Sequence, residues 1–298
     1  MKKRHIIPKR AERTYCDWAF RRGGMKRKLA LTAAVAAAAF IAVFVWCSAV
    51  CAGMSPQRQQ AALAGSNSGS DGFNMLVIMR ADDGSASTLA LFRCGGKDGT
   101  AVMPLPARLS GAGGQTLAQV AEIGPRAACA QCEKTFRIDV PYYIELDRRS
   151  LNKTLSLYGG GFTCEISKDV ECTMPDGRAA TIAAGINNID ADKALALMKA
   201  GTEEEQCAMQ GKLMAAFVSQ KLAGYYFEHS ADIYPQLAAA ARTNYSLSDF
   251  YRTLPLRRQA AKSAKTAIVF PRSCFAADGG VTGELDVSDV QAVRRAFG

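Results

Sequence analysis

Asn74-Met75-Leu76-Val77-Ile78-Met79 opens on a continuous apolar run. A strand wet on one face alternates apolar with polar residues, and this one does not. It reads as a strand buried on both faces, so the sequence predicts a sheet covered by helices. That sets the class as α/β, with a central mixed β-sheet flanked by helices. Working outward, Asp82-Asp83-Gly84-Ser85 supplies a turn. Ser87 to Phe92 reads as a second strand. Ala101-Val102-Met103-Pro104-Leu105 reads as a third, halted by Pro104 and Pro106.

Further along, Gln115 to Ile123 reads as a helix, Arg137 to Leu146 as a strand region, and Asp147 to Leu157 as a helix ended by Gly159-Gly160-Gly161. Phe162 to Met174 is predicted to be a strand pair, with Pro175-Asp176-Gly177 as a turn. Asp190 can cap a helix over Asp192 to Lys199, where Ala194, Leu195, Leu197 and Met198 form an apolar stripe. Glu203 to Phe227 is predicted to be a long helix, with acidic residues in its first turn to suit its dipole. Ser246-Leu247-Ser248-Asp249 opens another helix, Thr266 to Phe270 is a strand, and Asp286 to Phe297 closes the chain as an amphipathic helix.

The N-terminal side differs in kind. Lys26-Arg27-Lys28 is followed by Leu29 to Gly53 with no charged residue. About 20 apolar residues, at about 1.5 Å each, span the hydrocarbon core, so this run predicts a transmembrane helix. Residues 1–28 carry eleven Lys/Arg against Glu12 and Asp17, a net charge of +9 within a total of +10. The basic character therefore flanks the apolar run and leaves the rest near neutrality. A nucleic-acid reading of the high pI thereby loses its support and no such partner is expected, because the main body has no excess cations to release counterions. The positive-inside bias puts the N-terminus in the cytosol and the C-terminal body outside, as a single-pass protein of the plasma membrane. The competing reading is a cleaved signal peptide ending near Val50-Cys51-Ala52, but the run exceeds the usual length of about 7–15 residues. The domains expected are a tail 1–28, a span 29–53, a flexible spacer 54–72 and a body 73–298.

Ten cysteines are many for this length. Seven lie beyond the apolar run, in a compartment where disulfides persist. Cys164 and Cys172 flank a stretch able to form two short strands, and a bridge between them is expected. Cys129-Ala130-Gln131-Cys132 is a C-x-x-C that reads as a redox pair, a local structural disulfide, or two unrelated thiols. Zinc is not indicated, since no second C-x-x-C occurs and His229 is the sole histidine of the body.

Four stretches carry a resemblance. Asn74-Met75-Leu76-Val77-Ile78 with Thr88-Leu89-Ala90-Leu91, then Val102-Met103-Pro104-Leu105-Pro106, form two of them. The third is Gly185-Ile186-Asn187-Asn188-Ile189-Asp190-Ala191-Asp192-Lys193-Ala194-Leu195-Ala196-Leu197. The fourth is Arg242-Thr243-Asn244-Tyr245-Ser246 before a helix. Together, from Asn74 to Gly298, they resemble the LytR–CpsA–Psr family of membrane-anchored envelope proteins. The third stretch is the most specific. The resemblance implies transfer of a glycopolymer from a polyprenyl pyrophosphate carrier to peptidoglycan. It also implies arginines on the phosphates, a magnesium ion held by carboxylates, and an apolar groove for the lipid.

The chain departs from that pattern at most charged positions. Ser85-Ala86-Ser87-Thr88 stands where the family has Arg-Ser-Asp-Thr, and Leu105-Pro106-Ala107-Arg108 where it has Ile-Pro-Arg-Asp. Arg108 comes one residue late, which in a strand turns it to the opposite face. Lys199 replaces an arginine and lacks its fork. Gln206 and Met209 replace arginines of the long helix. The residues left to serve as a site are Arg108 and Lys199 for catalysis, Arg80, Leu213 and Phe217 for substrate, and Asp82 and Asp83 for magnesium. Each has a plainer reading: solvated charges, a turn and, for Leu213, Phe217 and the adjacent Val218 as lining of a lipid groove, core packing. The function implied is therefore handling of a polyprenyl-(pyro)phosphate-linked glycopolymer and peptidoglycan at the membrane, with an impaired transferase site. The alternative is a non-catalytic binding, scaffold or envelope-sensing module on the same fold.

Overall fold

The computed structural model describes residues 72–298, apart from 96–98, 112–113, 223–227, 264–265, 282 and 284. The basic tail, the expected span 29–53, the spacer as far as residue 71 and the end of the expected helix at Phe227 lie outside the described residues. Among the described residues no helix is long and apolar enough to cross a membrane.

The apolar run forms β1 (Gly72–Arg80). It pairs antiparallel with β2 (Ala86–Gly95), which pairs antiparallel with β3 (Gly99–Leu105). On its other side β1 pairs parallel with β4 (Tyr142–Leu146), and β4 antiparallel with the two-residue β9 (Arg242–Thr243). The strand β10 (Thr266–Ile268) completes a mixed six-stranded sheet ordered β10-β3-β2-β1-β4-β9. Side chains alternate across it. Leu76 and Ile78 of β1, opposite Leu91 and Leu89, belong to a core with α1 (Leu117–Ile123), α2 (Pro125–Phe136) and α9 (Val287–Phe297). Phe73 and Met75, opposite Cys94 and Phe92, face an aromatic cluster with Tyr142, Tyr234, Tyr245 and Phe250. Burial on both faces accounts for the unbroken apolar run.

Helix starts follow the local chemistry. Thr116, Asp147, Thr202 and Ser246 each cap a helix by accepting from the backbone N–H three residues on, with a reciprocal side-chain bond back to the cap. These open α1, α3 (Arg148–Leu157), α5 (Glu203–Lys221) and α7 (Leu247–Arg252). Asp190 caps α4 (Ala191–Leu197), as its position predicted. Gly159 and Gly160 take positive φ, and the Gly160 N–H bonds Leu155 O at 2.8 Å, which ends α3. Within α5, Gly211 faces Pro104 and Ile268 so closely that an added Cβ would lie 3.1 Å from each, and this seats the helix on β3 and β10.

Two expected strand regions and the expected disulfides need correction, and three helices are added. Residues 137–141 are not strand: α2 runs to Phe136 and Arg137 turns into the left-handed region at φ 55°, leaving only Tyr142–Leu146 extended. The helices α2, α6 (Ser230–Ala240) and α8 (Leu254–Ser263) went unread, since their alanines and mixed charges give no sharp apolar stripe. Phe162 to Met174 is not a pair of mutually bonded strands. Here β5 (Phe162–Ile166) and β6 (Val170–Thr173) are successive pieces of one arm, bonded to β8 (Gly185–Ile189) and β7 (Ala179–Ile182) on the other. Cys164 therefore sits opposite Asn187 and Cys172 opposite Ala180, and the expected bridge between them is absent. All seven described cysteines are free thiols, including the expected Cys129 and Cys132, which sit one turn apart on α2.

Candidate functional site

Two cavities border the β4–β9 edge. Ile144 and Thr243 are cross-strand partners and line an apolar cavity of about 180 Å³, with Phe73, Met75, Tyr158 and Val218 among its other walls. The next rung, Glu145 and Arg242, lines an open polar cleft of about 990 Å³. Because strand side chains alternate, the two cavities take opposite faces of the same short edge.

The cleft gathers arginines from separate elements. Arg80 stands at the end of β1, Arg148 and Arg149 are the first two residues of α3, and Arg242 opens β9. Glu145 is buried beneath them. One of its oxygens accepts from Arg80 Nε at 3.0 Å and Nη2 at 2.5 Å, and the other lies 3.0 Å from Arg242 Nη1. Arg80 also donates from Nη2 to Ala121 O at 2.7 Å and from Nη1 to Gly84 O at 3.3 Å. Its donors are thus committed to the fold, and its side chain is only 18% exposed. Arg148 is held by Asp192 of α4 through Nε at 3.0 Å and Nη2 at 3.1 Å, a fork that strengthens its protonation. Arg149 makes no ion pair with any described residue, and Arg242 is 71% exposed.

The residues expected from sequence divide in two. Arg80, Asp82 and Lys199 come together: all three line a second cleft of about 440 Å³, which shares Arg80, Asp82 and Arg148 with the first. The others lie elsewhere. Arg108 is a surface residue, 74% exposed, 3.5 Å from Glu203. Asp83 accepts from the Ser85 backbone at 2.9 Å and hydroxyl at 2.6 Å, so its carboxylate serves the turn, and these bonds lower its pKa. Leu213 is buried in a core with Leu155, Phe162 and Leu197, and Phe217 packs edge-on against Tyr158 and Phe162. Neither lines the apolar cavity. From the same helix Val218 does, because one further residue rotates the side chain by about a quarter turn.

Three of the five carboxylates that line this cleft are already engaged. Glu145 is taken by two arginines and Asp192 by Arg148, while Asp147 caps α3 by accepting from Ser150 N at 2.6 Å. Asp82 and Glu122 have no partner among the described residues and are the two left to hold a magnesium ion, which one or two carboxylates can do together with ligand phosphates; no group of three His, Cys, Asp or Glu among the described residues is placed to hold a metal by itself.

Arg148, Arg149 and Arg242 were missed by sequence reasoning. Arg148-Arg149 was visible as a cation pair at a helix start, where cations oppose the dipole, and that misfit was the signal available. Arg242 gave none beyond its place in the Arg-Thr-Asn turn.

No family model matches the chain, and no curated protein does. Solved structures do. A protein of Eubacterium siraeum described as a candidate transcription regulator shares 16% identity at TM-score 0.66, over 76% of this chain and 90% of that one. A LytR-Csp2A-Psr enzyme from Actinomyces oris shares 17% identity at TM-score 0.59, over 76% and 90%. TagT, solved bound to LIIa-WTA, shares 13% at TM-score 0.59, over 76% and 89%. At such identities the likeness is one of fold, and the body of this chain has a LytR–CpsA–Psr-like fold.

Proposed function

From that fold, and from a polar cleft lined by four arginines and five carboxylates beside an apolar cavity, we propose that this protein works in cell-envelope polymer assembly. It handles a polyprenyl-(pyro)phosphate-linked glycopolymer, with peptidoglycan as the second partner, and its transferase site is impaired. In this reading the run 29–53 anchors the chain in the plasma membrane with residues 1–28 in the cytosol, so the body meets its lipid-linked ligand at the outer surface. The carrying observation is the pair of adjacent rungs: Ile144 and Thr243 on the apolar cavity, Glu145 and Arg242 on the polar cleft. An amphiphile with a hydrocarbon tail and an anionic head matches both surfaces at once across a two-residue edge strand. TagT, bound to LIIa-WTA, gives a similar fold a ligand of this class.

The apolar cavity, about 180 Å³, is small beside ordinary ligand pockets of roughly 300–1,000 Å³. It takes the head-proximal isoprene units of a carrier, and the remainder stays in the membrane. The chain's own residues orient the head: Arg148 is aimed by Asp192, and Arg242 by the buried Glu145. Impairment follows from the donor set, since Arg108 is remote from the cleft and Asp83 is engaged in a turn. The same donor set favours the second reading, a binding or scaffold module that performs no transfer.

The test is lipid extraction of the full chain purified from membranes, with mass spectrometry of the extract. A bound polyprenyl phosphate is expected, and a lipid-free protein of intact fold would refute the reading. Glycopolymer transfer to peptidoglycan in vitro separates the two versions: slow turnover supports the impaired transferase, none the scaffold.

A further inference from the structure

The inner apolar cavity, about 180 Å³, is too small for a long polyprenyl chain. A chain whose head lies in the polar cleft must therefore leave the cavity through another wall. We propose that it leaves between α6 and α8, past Phe250, and that its distal units lie in an outer groove on that side. The inference rests on the lipid-phosphate reading above and adds a second subsite for the hydrocarbon.

Three observations locate the exit. First, an outer groove of about 560 Å³ shares Ser230, Phe250 and Ala261 with the inner cavity, so the two meet at one wall. Second, that wall is a side-chain partition and not a strand. Phe250 is only 4% exposed. It stacks on Tyr234 of the inner cavity with ring centroids 4.5 Å apart, and meets Tyr251 of the outer groove edge-on at 5.4 Å. Arg257 lies over the Phe250 ring at 3.8 Å and donates to Phe250 O at 2.9 Å and to Ser230 Oγ at 3.5 Å. It fastens α8 to α7 and to the start of α6. The Phe250 ring can change rotamer without breaking the bond to its own carbonyl, so the partition opens while the sheet stays still. Third, the groove carries apolar surface that the described fold leaves open. Tyr251 is 53% exposed and Leu247 49%, and they stand four residues apart on one face of α7. Leu254 and Ala231 line the groove beside Tyr251, while its charges, Arg258 and Lys262 against Glu228, are exposed to water. Single exposed apolar residues are ordinary, but these adjoin the wall of an apolar cavity. An uncharged hydrocarbon laid over them gains in proportion to the area it takes from water.

The experiment measures binding of geranyl monophosphate and of the longer geranylgeranyl monophosphate to the full chain by calorimetry, in one detergent. The ratio of the two affinities is the readout, and partition into micelles affects every variant alike. Wild type is expected to prefer the longer chain. Tyr251→Asp is expected to cut that preference by roughly fivefold and to keep its affinity for the shorter chain, which stays inside the partition. Tyr251 is half-exposed, so its replacement leaves the fold intact, and circular dichroism checks this. A second readout uses geranylgeranyl monophosphate with a diazirine at the far end of its chain. After irradiation, peptides from residues 247–262 should carry the label in mass spectra. Equal affinity of wild type for both chains overturns the inference and leaves the lipid-phosphate reading standing. An unaltered ratio in Tyr251→Asp, or label absent from 247–262, does the same. A folded wild-type chain that binds neither compound overturns the parent reading and the inference with it.

Discussion

Arg80 and Glu145 lie on neighbouring parallel strands and meet as a buried ion pair, Nη2 to Oε1 at 2.5 Å, with side chains 18% and 6% exposed. Its second oxygen serves Arg242, so one carboxylate sets two guanidiniums along the cleft. Removing the charge leaves Arg80 uncompensated where water is scarce. Glu145→Gln is expected to cost about 3 kcal/mol in urea unfolding, the range for breaking a buried pair. Arg242→Ala, at an exposed partner, should cost about 0–1 kcal/mol. Equal losses in the two variants would mean that Glu145 is not a brace.

Arg108 tests the opposite case. Its pairing with Glu203 at 3.5 Å is exposed, and surface pairs contribute about 0–1 kcal/mol. Arg108→Ala should leave both stability and the polyprenyl phosphate extracted with the purified chain unchanged. A loss of binding would return Arg108 to the site.

The apolar cavity predicts a separation of binding from stability. Ala261 lines it, and Ala261→Leu adds volume inside the wall. Retained prenyl lipid should fall sharply in mass spectra of extracts, while the melting temperature holds or rises, since filling a void adds packing contacts. Retention at the wild-type level would place the lipid elsewhere.

Thiol reactivity follows burial. Desolvation pushes the Cys94, Cys129 and Cys274 thiols up to about 12, so each stays protonated and inert in the native state. Cys172 is the least buried of the seven described cysteines. Iodoacetamide should therefore modify Cys172 before Cys94, Cys129, Cys132, Cys164, Cys207 or Cys274, with peptide mass spectrometry as the readout. A peptide pair joined by Cys164–Cys172 would contradict the hairpin register.

The cap of α3 gives a pH dependence. Hydrogen bonds from the Ser150 backbone and hydroxyl hold Asp147 below its ordinary value of 3.8. A lowered folded-state pKa means that this contribution is complete above about 3.8 and disappears as pH falls through the lower, folded value. Asp147→Ala should cost about 1 kcal/mol at neutral pH, and the gap from wild type should close as acid protonates the cap. A gap that stays constant from neutral pH down to the acid unfolding transition would assign the loss to packing.

Much of the frame was legible because its causes are local. A run without alternation around Leu76 requires two covered faces. Asp190, Ser246 and Asp286 announce helix starts because an oxygen side chain must reach the N–H groups that follow. The helix Pro125–Phe136 was not legible: its cysteines, alanine and charges lack a strong stripe, and what holds it is Phe136, Ala128 and Cys132 packed under the sheet. Of the groove candidates on α5, Val218 lines the cavity while Leu213 and Phe217 pack in the core, and since all three are apolar only the packing tells them apart.

By itself the sequence determined the α/β class, the central strands, most caps and the loss of arginines from the expected motif positions. These depend on residues within a few places of one another. Only the tertiary structure decided which charges meet. Arg80, Arg148, Arg149 and Arg242 are brought to one cleft by two strands and a helix start, and Glu145 and Asp192 reach them from other elements. A guanidinium acts over a few ångströms, and no spacing along the chain records which distant carboxylate will stand beside it.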